Sequence, residues 1–173
     1  MPIMTRNPAK RRAERRARAP SLTILVCDRR WLQALPGLNP RLQGAAKAAM
    51  RTVKLPGKIE FLAVALVSDA EMRALNHAFR GQDKATNVLS FQHVEGHGGD
   101  IILAFETCRR EAAEQGKSLA DHARHLLVHG ILHILGHDHE RPRKARAMEV
   151  LETKILKLLG ISDPYADRSE IRG

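Results

Sequence analysis

The segment that most constrains this chain is an apolar stretch studded with imidazoles. Six of the nine histidines fall between residues 122 and 139, among Leu126, Leu127, Val128, Ile131, Leu132, Ile134 and Leu135. Ser118 supplies an N-cap and Gly136 a stop, so the pattern predicts one helix from Ser118 to about Leu135. A helix this apolar is mostly buried, and a buried run of unpaired imidazoles is costly. Metal binding resolves that cost.

The core of the segment reads HGILHILGHDH, residues 129–139. His129 and His133 stand four apart on the predicted helix, so both rings project from one face and can bind one metal ion. Gly136 lets the chain double back, which brings His139 toward the same ion. Three nitrogens with an open fourth position are the usual form of catalytic zinc, because water binds in the open place. One zinc ion per chain is the expectation. The competing reading is a plain polar stripe of His125, His129, His133 and His137. The spacing is also that of the metzincin peptidases, H-E-x-x-H-x-x-G-x-x-H, with Gly136 in register. Gly130 stands where those enzymes carry their general base, so a metallopeptidase is the second choice.

Elsewhere the apolar runs alternate with turn signals. Strands are expected at Ser21–Cys27, Ile59–Val67, Asn87–Phe91 and Asp100–Phe105. Helices are expected from Arg41 to Val53, Ala70 to Phe79, Glu106 to Gly116, through the histidine segment, and from Pro142 to about Leu159. Trp31 to Pro40, with Pro36, Gly37, Asn39 and Pro40, reads as loop. This order gives an α+β fold: a small mixed four-stranded sheet packed against about five helices, carrying a zincin-like three-histidine metal site. Residues 21–173 are expected to form a single domain.

Residues 1–20 carry seven basic side chains against Glu14 alone, which is most of the +10 net charge of the chain. They lack the apolar core of a secretory signal and the serines of a transit peptide, so a disordered basic tail is expected, of the kind that adheres to phosphate-rich partners. Two cysteines, Cys27 and Cys108, are too few for a disulfide framework and read as buried or half-buried thiols in a reducing cytoplasm. No apolar run reaches the ~18 residues of a membrane span. Only six aromatic residues are present, most at core-like positions, which argues against a base-stacking platform.

HGILHILGHDH resembles the signature of the YbeY-type endoribonucleases, H-G-x-L-H-L-x-G-Y-D-H. Residues 75–92, LNHAFRGQDKATNVLSFQ, resemble that family's second block, GDIILA at 99–104 its third, and Met148–Tyr165 its close. Ile134, His137, Phe79 and Gln92 depart from the family pattern, and His137 adds an imidazole beside the site. The resemblance implies a zinc-dependent hydrolase that cuts single-stranded RNA, finishes the 3′ end of small-subunit ribosomal RNA and takes part in ribosome quality control. It implies His129, His133 and His139 as metal ligands, with His129 and Arg80 as catalytic residues. A small-subunit ribosomal protein and an Era-type GTPase are the candidate targeting partners.

The residues agree with that picture. Arg80 opens a glycine-containing loop where a guanidinium could clamp phosphate or offset transition-state charge. On spacing alone it is equally a solvated arginine at a helix C-terminus. Lys84 is a further phosphate contact or a surface lysine. Asp83, Thr86, Asn87 and Ser90 shape the loop and strand, and Asp138 either buttresses a ligand or bonds the turn. A third possibility is a non-catalytic ribosome-binding factor with a structural metal.

Overall fold

A computed structural model describes residues 21–53, 59–93, 97–137 and 142–166. The strands are β1 (Ser21–Val26), β2 (Phe61–Val67), β3 (Val88–Gln92) and β4 (Gly98–Ala104). The helices are α1 (Arg30–Ala34), α2 (Leu38–Thr52), α3 (Asp69–Arg80), α4 (Phe105–Glu114), α5 (Leu119–Ile134) and α6 (Pro142–Leu158). The sheet runs in the order β1-β2-β4-β3, with β1, β2 and β4 parallel and β3 antiparallel at the edge. Val64 of β2 sits in register between Ile24 and Ile101. The expected α+β architecture with a mixed four-stranded sheet is present.

The two-residue period of the strands divides their side chains between two faces. Leu62, Val64, Leu66, Ile101 and Leu103 point to the main core, built with α2, α5 and α6. Val67, Leu89, Ile102 and Ala104 point the other way and meet Met72 of α3. Helix α5 packs on α2, α4, α6, β3 and β4 at once. Its approach to the sheet is so close that a Cβ at Gly130 would stand 3.1 Å from Ile101, and one at Gly99 would stand 2.7 Å from Ile134. These two contacts also fix direction: α5 runs antiparallel to β4 and ends where β4 begins.

Helix α3 ends at the same end of the sheet, on the opposite face. Its start is held by a capping box in which Ser68 Oγ accepts from the Glu71 amide and Glu71 accepts from the Ser68 amide. Two neighbouring helix starts also cap each other. Glu106 accepts from the Asp69 amide at 2.8 Å, while Asp69 accepts from the Thr107 amide at 3.0 Å and its hydroxyl at 2.7 Å. At the far end of α3, Phe79 rests against Phe91 of β3, which is paired with Asp100.

Three expectations are corrected. Trp31 to Pro40 is not simply loop: α1 forms around Trp31, which is fully buried and donates its indole N–H to the Val67 carbonyl at 3.2 Å. Pro40 lies within the first turn of α2, where a missing amide hydrogen costs nothing, and the described residues hold six helices. Cys27 is exposed, and only Cys108 is buried. The aromatics divide: Trp31 and Phe105 are core, Phe61 and Phe79 are exposed, and Phe91 is half-buried. Residues 1–20, Asp138 and His139 lie outside the described residues. Among those described, no helix is long and apolar enough to cross a membrane.

Candidate active site

The histidines of α5 occupy distinct environments because the helix is buried on several sides and open at its last turn. His122, near the start, is sealed in the protein and lies 2.9 Å through Nε2 from Glu111 Oε2. Glu111 also accepts from the Asn87 side chain, so α4, α5 and the entry to β3 are tied at one point. Burial pushes the His122 imidazole below its ordinary pKa, against the opposing pull of Glu111. This is a structural histidine.

One and two turns later the helix offers something else. His129 and His133 bring their Nε2 atoms to 3.0 Å from each other. Two nitrogens bound to one tetrahedral zinc, each about 2.0–2.1 Å from it, lie about 3.3 Å apart, so the pair fits a single ion. Behind the pair, Glu152 of α6 is fully buried, with Oε1 3.0 Å from His125 Nε2 and 3.3 Å from His129 Nδ1. Its other oxygen accepts from the Tyr165 hydroxyl at 2.5 Å. Burial would raise this carboxyl, but the close His125 and His129 imidazoles outweigh it and hold the pKa at about 2. A carboxylate facing Nδ1 favours the proton on that nitrogen, the tautomer whose Nε2 lone pair can serve a metal.

Gly136, at φ +85°, closes the helix with a Schellman motif: its amide donates to the His133 carbonyl and that of His137 to the Leu132 carbonyl. His137 is half-buried just past this turn. The third expected ligand, His139, lies outside the described residues, and among these no cluster of three or more His, Cys, Asp or Glu is disposed to hold a metal. Arg80 is the last residue of α3 and exposed, next in sequence to Phe79, whose ring meets Phe91 of β3 on the sheet face opposite α5. Asp83 pairs with Arg73 at 2.7 Å, and Lys84 accepts from the Asn76 side chain through its carbonyl. Both therefore help to fold the loop.

Sequence reasoning missed Glu152 and saw His125 only as part of a polar stripe. The signal for Glu152 was its period: it falls with Met148 and Ile155 on the buried face of α6, where an unpartnered carboxylate does not belong. The position after His129 carries a second lesson. A Cβ at residue 130 would stand 3.1 Å from the Ile101 side chain of β4, so any larger residue there requires Ile101 to give way.

Fold and site together define a class: an α+β domain whose central helix turns converging imidazoles outward at the sheet rim, braced by a buried carboxylate. The sequence profile of the family described as Endoribonuclease YbeY matches residues 34–160. The chain belongs to the YbeY endoribonuclease family, and its enzymatic class is that of an endoribonuclease. It is 44% identical over 149 residues to Endoribonuclease YbeY of Paramagnetospirillum magneticum, covering 80% of this chain and 91% of that one. To the protein of the same name from a Chelativorans species it is 46% identical over 166 residues, covering 88% and 99%. The solution structure of a Thermotoga maritima protein, 24% identical, shares the fold with a TM-score of 0.57 over 87% of this chain and 93% of that one.

Proposed function

We propose that the chain is a single-metal endoribonuclease acting on single-stranded RNA, with His129, His133 and His139 holding one zinc ion. The observation that carries this is the 3.0 Å approach of the His129 and His133 Nε2 atoms with Glu152 behind them. A divalent ion held there supplies Lewis acidity, acidifying water and polarising a phosphoryl oxygen. Glu152 keeps His129 in the tautomer that can serve as a ligand. Arg80 offsets the negative charge that builds on the phosphate as it is attacked. Residues 21–173 form the nuclease domain, and the basic residues 1–20 add phosphate contacts.

The substrate on this reading is small-subunit ribosomal RNA near its 3′ end, in the cytoplasm, with a ribosomal protein and an Era-type GTPase aiding delivery. Ribosome quality control follows from the same activity. The test is metal analysis of the purified protein beside cleavage assays on single-stranded RNA and on casein, with and without chelator. RNA cleavage that stops on chelation and returns with zinc is expected, with casein intact. Casein cleavage with RNA intact would instead make the protein a peptidase, and bound metal without turnover would make it a ribosome-binding factor. Arg80→Ala should keep its metal and thermal midpoint yet lose roughly 10²-fold in rate at saturating RNA.

A further inference from the structure

The exposed end of α3 carries an aromatic ring that the metal site does not use. Phe79 is 65% exposed, and its ring centroid stands 5.1 Å from that of Phe91 at an interplanar angle of 53°. Gly81, at φ +67°, turns the chain away immediately afterwards, and Gln82 donates back to the Asn76 carbonyl, so the loop leaves the ring uncovered. Among the described residues, neither Arg80 nor Lys84 forms an ion pair, while the nearby acid Asp83 is neutralised by Arg73. A bare aromatic face beside free cations is the combination that binds single strands, because every base has a π-face and every linkage a charge.

The location favours the same ligand. Ile134 of α5 meets Gly99, and Phe91 is paired with Asp100, so the imidazole pair and the aromatic pair lie at one level of the sheet. Helix α5 packs against edge strand β3 from one face, and Phe79 meets it from the other. A strand of RNA passing over that edge would meet both.

We propose that Phe79, backed by Phe91, is a stacking platform for a base of single-stranded RNA, next to the phosphate that Arg80 engages. This rests on the endoribonuclease reading and adds a base-binding subsite to it.

The test uses the full chain with chelator present, so that binding is read without cleavage. Anisotropy is measured with a fluorescein-labelled 12-nucleotide single-stranded RNA and with an abasic ribose-phosphate oligomer of the same length. Phe79→Ala should weaken binding of the RNA roughly tenfold or more, with an unchanged salt slope and thermal midpoint, and leave the abasic oligomer unaffected. Phe79→Trp should bind as wild type, and its indole emission should be quenched by RNA, since the native Trp31 is fully buried. Wild-type affinity in Phe79→Ala, or an equal loss toward the abasic oligomer, overturns the platform alone. A wild-type dimer in sedimentation that Phe79→Ala dissolves gives the patch to a second copy and also overturns it. A wild-type chain that binds no RNA defeats the endoribonuclease reading and the platform together.

Discussion

Helix α5 carries three histidines next to carboxylates, His122 beside Glu111 and His125 and His129 beside Glu152, and the first and last of these are put to opposite uses. His122 faces Glu111 through Nε2 with its side chain 3% exposed, whereas His129 faces Glu152 through Nδ1 with its side chain 26% exposed. In the first pair the ring is sealed, so the carboxylate serves packing and joins helices. In the second the carboxylate is the sealed member, at 0% exposure, and the ring turns its other nitrogen toward His133. The difference lies in which partner is buried and which nitrogen is engaged, since the residue types are the same. An imidazole beside a carboxylate becomes a candidate ligand only when the carboxylate takes the inner nitrogen.

The largest expected effect comes from breaking the outward pair. His129→Ala or His133→Ala should each lower metal affinity by about three orders of magnitude or more, with cleavage falling to the level of the chelated enzyme. Metal content after dialysis and the rate on single-stranded RNA would show it. A full equivalent of metal in both variants would return the segment to a plain polar stripe.

Glu152→Gln comes next. Without the charge that fixes the His129 tautomer, metal affinity should drop about 10- to 100-fold in a competition titration with a chromogenic chelator. The rate per bound metal should change less than the affinity.

His122→Ala sharpens the contrast from the other side. It should cost about 1–3 kcal/mol in denaturant unfolding, because Glu111 loses a buried partner, and should leave metal stoichiometry unaltered. Equal metal loss in His122→Ala and Glu152→Gln would erase the distinction between the two pairs.

The smallest effect is a pH slope. The folded state holds the His122 imidazole below its ordinary pKa, so the unfolded chain takes up the proton first as pH falls. Stability should therefore decline as pH drops through about 6.5, and His122→Ala should flatten that part of the profile.

Much of this arrangement is legible in the chain. The apolar runs of β2 and β4, the Ser68 and Ser118 caps and the Gly136 stop mark elements whose local chemistry agrees with their place. The pairing of His129 with His133 follows from helical spacing alone. What escaped depends on contacts between distant segments. Helix α1 survives because Trp31 finds a core and the Val67 carbonyl 36 residues away, against the loop-like look of Pro36 and Gly37. The period of α6 marks Glu152 as buried, but its imidazole partners appear only when α6 is laid on α5. Composition also says nothing about which rings face water, so the exposure of Phe79 does not show in it.

The central lodging of α5 has a thermodynamic consequence. A helix in contact with two strands and three helices cannot open by itself, so its innermost amides should exchange hydrogen only through global unfolding. Ion uptake at His129 and His133 is then linked to the entire folding equilibrium and not to a local flap. Each tenfold excess of free ion over its dissociation constant should add about 1.4 kcal/mol to the stability of the whole domain, so the folded population rises with metal supply.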